Sequence, residues 1–166
     1  MLATSLLAVA ALQVSYRPGI SADTLPIATT MTRSLMNPLS ISHERFIVAT
    51  DEDDERLGFG QIRPLGSDGL WELASVYVVE SARGNRIGSE VVRRLMVQHE
   101  EAGRPLAALY LLTLATTTDF YLPLGFETRE GSQVPTAMAF EVAAGTALSA
   151  IVKNKLVCMQ YTGVKS

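Results

Sequence analysis

The segment from Val76 to Met96 (VYVVESARGNRIGSEVVRRLM) constrains the fold more than any other. A β-branched apolar run enters a turn holding Arg83, Gly84, Arg86 and Gly88, and an amphipathic pattern leaves it. Ile87, Val91, Leu95 and Met96 share one face of a helix predicted over Ile87 to Ala102, with Arg93, Gln98 and Glu100 off that face. Gly103 stands where a helix C-cap belongs. A strand, a glycine-bearing turn and a helix N-terminus in that order make an anion site. The first-turn N–H groups lack intrahelical partners, and the helix dipole favours negative charge. Arg83 and Arg86 add positive charge at the same place, so the implied ligand is a phosphate or pyrophosphate. No Gly-Lys-Ser/Thr follows, which excludes a P-loop. A dinucleotide fingerprint needs three glycines and an acidic residue beyond the next strand, and the spacing offers neither.

The flanking sequence supplies the rest of a sheet. Gln13 to Arg17 reads as a short strand stopped by Pro18-Gly19, and Asp23 as an N-cap for a helix over Thr24 to Met36. Arg45 to Thr50, Leu57 to Pro64 and Leu70 to Val79 read as strands, the last the strongest. Asp51 to Glu55 (DEDDE) reads as a solvated hairpin turn, without the interposed glycine of a calcium loop. Ala107 to Leu114 is a buried strand by its apolar run, and Thr117 or Thr118 caps a short helix through Tyr121 to Leu124, ended by Gly125. Phe126 to Arg129 begins a strand, Thr136 to about Val152 reads as helix, and Leu156 to Tyr161 as a last strand. Strands and helices alternate without strict βαβ regularity. The expected class is α+β (mixed α/β), a single domain over residues 13–166 behind an apolar segment at residues 1–12.

Composition narrows the partners. The 166 residues carry 14 Lys plus Arg against 17 Asp plus Glu, a net charge of −3, so no basic field attracts a nucleic-acid backbone. One cysteine, Cys158, excludes a disulfide-stapled fold. No apolar run reaches spanning length, and no membrane partner is expected. Met1 to Leu12 lacks the Lys or Arg of a secretory signal and the Arg richness of a transit peptide, yet Ala8-Val9-Ala10 matches a small-residue cleavage site. Two readings stay open: a leader, which would put the protein in a plastid or other organelle, or a partly ordered N-terminus of a cytoplasmic protein.

The loop resembles the acetyl-CoA loop of the GNAT superfamily of acyl-CoA N-acyltransferases, whose pattern is Arg/Gln-x-x-Gly-x-Gly/Ala, usually after Val-x-Pro. Arg83 and Gly88 match its ends and Val78 its valine; Glu80 stands for the proline and Arg86 for the first glycine. With a side chain in that place, Arg86 is expected in an ordinary backbone conformation. Tyr16-Arg17-Pro18 with Asp23 looks like the superfamily's opening strand and helix, and Asp119 to Phe126 (DFYLPLGF) resembles its Phe-Tyr-x-x-Leu-Gly-Phe signature. The resemblance covers about residues 13–161. Leu111 to Tyr121, Val134-Pro135 and Val157-Cys158-Met159 are similar to arsenic-resistance-type amino-acid N-acetyltransferases.

The resemblance implies a twisted mixed sheet of six to seven strands, flanked by helices and splayed at an acetyl-CoA site. It implies acetyl transfer from acetyl-CoA, as co-substrate and without metal, to a primary amine of a small molecule or amino acid in a ternary complex, with a homodimer compatible. By the same resemblance Val76, Val78, Arg83, Gly84, Asn85, Arg86, Ile87, Gly88 and Ser89 bind the coenzyme. Val78 N–H is the oxyanion donor, Tyr121 the acid for the leaving thiolate, and Glu72 the base. Glu72, Ala74, Val76 and Val78 are expected on one strand face by the period of two. A protein (lysine or N-terminal) acetyltransferase and a non-catalytic acyl-CoA-binding module, the latter motivated by Arg86, stay open. His99 reads as a surface residue late in its helix, His43 has no motif around it, and Cys158 reads as buried and inert.

Overall fold

A computed structural model describes residues 12–38, 41–139 and 155–163. The alternating and apolar runs become seven strands: β1 (Ser15–Pro18), β2 (Phe46–Thr50), β3 (Arg56–Leu65), β4 (Leu70–Val78), β5 (Leu109–Leu114), β6 (Phe126–Arg129) and β7 (Leu156–Tyr161). They form one sheet in the order β1-β2-β3-β4-β5-β7-β6. Every neighbouring pair is antiparallel except β4 and β5, which run parallel. A parallel pair needs a crossover, and helix α2 (Ile87–Glu101) supplies it.

Helices cover both faces. On strand β2, Ile47 and Ala49 join Val91 and Leu95 of α2 in one core cluster. The alternate residues Phe46 and Val48 join Ile27 and Met31 of helix α1 (Thr24–Arg33) in another. Ile87, Val91, Val92 and Leu95 are all buried; each such side chain contributes about 1.5–3 kcal/mol, which is what fixes α2 on the sheet. Gly60 lets it come close: a Cβ there would lie 3.1 Å from both Leu95 and Val91.

Most element boundaries match the sequence reading within two residues, with two differences near the start. Helix α1 stops at Arg33, because Leu35 turns left-handed (φ 56°). Asp23 occupies the N-cap position of α1 without capping it. Its fully buried carboxylate instead accepts from Arg17 Nη1 (2.7 Å), Arg56 Nε (2.7 Å) and the backbone N–H of Ile20 (2.9 Å). The acidic run forms the β2–β3 hairpin turn, where Asp51 Oδ1 accepts from the N–H groups of Asp53 and Glu55. The helix predicted from Thr136 begins at 136–139, and its continuation lies outside the described residues, as do residues 1–11.

Candidate active site

The parallel pair is incomplete. Strands β4 and β5 are in register only at Trp71↔Leu109 and Glu72↔Tyr110, yet β4 continues to Val78 and β5 to Leu114. Beyond Glu72 the two strands diverge into a wedge. The backbone of β4 facing it can be read from the other edge. Gly58 opposes Val78, and Val79 N–H donates to Leu57 O at 2.9 Å. Antiparallel pairing alternates, so Val78 turns its N–H and carbonyl away from β3, toward the wedge. Val78 O accepts from Arg83 Nε at 3.1 Å, which ties the loop to the strand end.

The loop then enters α2. Arg83, Gly84, Asn85 and Arg86 are exposed, whereas Ile87 and Gly88 are buried. Asn85 Nδ2 donates to Ala82 O at 3.0 Å and closes the turn. Gly84 is left-handed (φ 83°), and so is Arg86 (φ 60°, ψ 11°) at the N-cap of α2. The expectation of an ordinary conformation at Arg86 is therefore wrong. The turn dictates the dihedrals, and Arg86 takes the left-handed shape a glycine would take, at a cost of about 1–2 kcal/mol. The N–H groups of Ile87, Gly88 and Ser89 thus lie in the first helical turn, facing the guanidinium-bearing loop. Gly88 is needed for close approach: a Cβ there would sit 3.2 Å from Phe120 Cζ and 3.4 Å from Val78 Cγ2. Phe120 belongs to helix α3 (Thr118–Tyr121), so the loop, the strand end and α3 meet at this glycine.

Tyr121 follows Phe120, their rings 4.8 Å apart and edge to face. It is buried, and burial pushes its phenol up to about 12, opposed by a hydrogen bond with the Thr113 side chain on β5. The phenol is thus protonated at any physiological pH, with its hydroxyl tied to the β5 side of the wedge. Thr113 lies within the Leu111 to Tyr121 run, but only its side-chain hydrogen bond in the structure identifies it as a partner of Tyr121.

Glu72 lies at the apex, on the last paired rung. It is 5% exposed, and Arg63 Nε donates to its Oε2 at 2.7 Å. The expected shared face with Val76 and Val78 does not hold. Ala74 opposes Gln61 and Tyr77 opposes Phe59, so Ser75 and Val76 together face Gly60. Ser75 is left-handed (φ 58°), the mark of a β-bulge that reverses the alternation. Val76 and Val78 pack toward α2, while Glu72, Ala74 and Tyr77 face the other side. On that second face Gln61 is fully buried, its Nε2 donating to Ser75 Oγ at 3.2 Å and its Oε1 without a donor among the described residues. A buried carboxylate and a buried amide oxygen thus lie on the sheet face opposite α2.

The remaining candidates fall elsewhere. Cys158 is buried, and burial pushes its thiol up to about 11, so it is inert as read. His43 opens a short turn before β2, remote in the sheet order from the wedge. His99 is not at the surface: it is 2% exposed and packs edge-on against Trp71 at 5.0 Å. Among the described residues no cluster of three or more His, Cys, Asp or Glu is arranged for a metal, and no helix is long and apolar enough to cross a membrane.

Comparison with known proteins gives the geometry its context. Residues 42–128 match the family described as acetyltransferase (GNAT) domain. The chain is 32% identical over 89 residues to an uncharacterised N-acetyltransferase of Schizosaccharomyces pombe, covering 53% of this chain and 55% of that one. It thus spans about half the length of the curated relative it matches. Its fold is similar to Rv2747 of Mycobacterium tuberculosis, solved in complex with CoA (TM-score 0.65, 22% identity, 90% of this chain and 99% of that one). It is also similar to N-acetylglutamate synthase of Neisseria gonorrhoeae, complexed with coenzyme A and L-arginine (TM-score 0.64, 15% identity, 92% of this chain and 34% of that one). A family match over more than half the chain, on a splayed seven-stranded sheet, establishes that this chain belongs to the GNAT acetyltransferase domain family.

Proposed function

We propose that the chain is an N-acetyltransferase that moves the acetyl group of acetyl-CoA to a primary amine of a small molecule or amino acid, directly, in a ternary complex. The observation that carries this reading is the wedge between β4 and β5, which has an exposed anion loop at one lip and a buried, protonated tyrosine at the other. Acetyl-CoA supplies an activated thioester. Its pyrophosphate suits the first-turn N–H groups of Ile87, Gly88 and Ser89 and the loop of Arg83, Gly84, Asn85 and Arg86. Its pantetheine suits the backbone of Val76 and Val78. The Val78 N–H is the donor for the oxygen that gains charge as the amine attacks.

Proton movements follow from the buried groups. The attacking amine must lose a proton, and Glu72 receives it directly or through water, held in place by Arg63. The departing sulfur accepts a hydrogen bond from Tyr121. Full proton transfer from a phenol near 12 to a thiolate of ordinary basicity (~8.5) is uphill by several kcal/mol. Tyr121 therefore acts as a hydrogen-bond donor that lowers the barrier to C–S cleavage. The thiolate takes its proton later, from solvent. Left-handed Arg86 supports this reading over a non-catalytic module, because it takes the backbone conformation that glycine readily adopts.

The test is CoA release from acetyl-CoA over a panel of amino acids, polyamines and lysine peptides. Turnover on at least one free amine, reduced in Glu72→Gln with CoA binding retained, is expected. Turnover confined to peptides would replace the small-molecule acceptor by a protein. Binding of acetyl-CoA without turnover on any amine would remove the catalytic reading.

A further inference from the structure

A second recess lies at the opposite end of α2 from the anion loop. Eleven helical positions separate Gly88 from His99, which is about 16 Å along the axis. The recess has a volume of about 340 Å³, the size of a site for a small ligand. Ile62, Leu95 and Trp71 line it with apolar surface, and Arg45 and Arg104 bring two guanidinium groups to its edge. Neither arginine forms an ion pair among the described residues. Arg104 lies flat over Trp71, 4.3 Å from the ring centroid. Glu44 is the one carboxylate in the lining, so the balance of charge is positive.

His99 also lines this recess. It is 98% buried, and among the described residues no group makes a well-formed hydrogen bond with either ring nitrogen, the Pro105 backbone offering only a weak one. Buried polar side chains nearly always have good partners, so an imidazole this incompletely partnered in a cavity wall leaves a place for a ligand atom. Burial, and then the charge of Arg104, push its pKa down, against the smaller opposing effect of its weak hydrogen bond to the Pro105 backbone carbonyl. The ring is therefore neutral near pH 7 and offers one donor and one acceptor.

We propose that this recess binds a small organic carboxylate: its carboxylate meets Arg45, its apolar body lies against Trp71, Ile62 and Leu95, and a hydroxyl at its far end hydrogen-bonds His99. The site is separate from the wedge and does not depend on the acetyltransferase reading.

The probe is 4-hydroxybenzoate, titrated calorimetrically into the full chain with and without saturating CoA. Trp71 is the single tryptophan and lines this recess, so its emission, read with and without CoA, reports on it. Expected are saturable one-to-one binding unchanged by CoA and a parallel change in Trp71 emission. 4-Hydroxybenzamide, which lacks the charge, and benzoate, which lacks the hydroxyl, should both bind more weakly, the former by about tenfold or more. Arg45→Gln, at a partly exposed position, should weaken 4-hydroxybenzoate by a similar factor while leaving folding intact. His99→Phe adds a second check where it folds; Arg45→Gln decides where it does not. No saturable binding, equal affinity for acid and amide, competition by CoA, or full affinity in Arg45→Gln would each overturn the proposal.

Discussion

Replacing Arg86 by glycine should make two properties of the protein move in opposite directions. Arg86 is left-handed at the α2 N-cap, and relief of that conformation is worth about 1–2 kcal/mol. Glycine returns about 0.5–1 kcal/mol of this through the greater freedom of its unfolded chain. The net is a stabilisation of about 0.5–1 kcal/mol, or about 1–3 °C in Tm for a chain of this size. The same change removes an exposed guanidinium from the anion loop. A surface ion pair is worth about 0.2–1 kcal/mol, so CoA should bind up to about fivefold more weakly. Arg86→Ala separates the two effects: it keeps the backbone cost and loses the charge, so affinity falls without the gain in Tm. Thermal unfolding without ligand and calorimetric titration with CoA read both quantities. An Arg86→Gly protein that melts no higher than Arg86→Ala would refute the strain argument. Unchanged or tighter CoA binding would remove Arg86 from the phosphate site.

Three further outcomes follow from buried groups. Tyr121→Phe removes a donor that stays protonated to about pH 12, so turnover should fall about tenfold or more with CoA affinity retained and no new limb in the pH–rate profile below pH 10; unchanged turnover would remove Tyr121 from the reaction. Burial raises the Asp23 carboxyl, but hydrogen bonds from Arg17, Ile20 N–H and Arg56 outweigh it and bring it down to about 2. A folded value below the unfolded one stabilises above the ordinary carboxyl range, and that contribution, about 2 kcal/mol, is lost as pH falls from about 4 to about 2; denaturant midpoints across that window should drop less steeply in Asp23→Asn. Cys158, buried with its thiol pushed up to about 11, should react with a thiol reagent at pH 8 far more slowly in the native protein than after denaturation.

The parts of the fold that could be read from the sequence are those with a local cause. The loop and α2 follow from glycine placement and a period of 3.6, and the hairpin at Asp51 to Glu55 from a run of acids that cannot be buried. The parts that could not be read depend on a partner far along the chain. Asp23 looks like a cap because its true partners, Arg17 and Arg56, sit on β1 and β3. His99 looks exposed because Trp71, which covers it, is on another element. The face of Glu72 is misjudged because nothing in the residues around Ser75 marks a left-handed bulge, and one inserted residue reverses every side chain beyond it. Arg86 is misjudged for the converse reason: a side chain there suggests ordinary dihedrals, but the turn between β4 and α2 overrides that preference.

The central claim is direct transfer within the wedge, and a single mass balance tests it. The full chain is mixed with a stoichiometric amount of acetyl-CoA and an accepted amine, and CoA, acetylated amine and intact protein mass are followed together. CoA and acetylated amine should appear in equal amounts, at equal rates, with the protein mass unchanged throughout. An acetyl group accumulating on the protein before product, or no acetylated amine from any acceptor while acetyl-CoA is bound, would contradict the account.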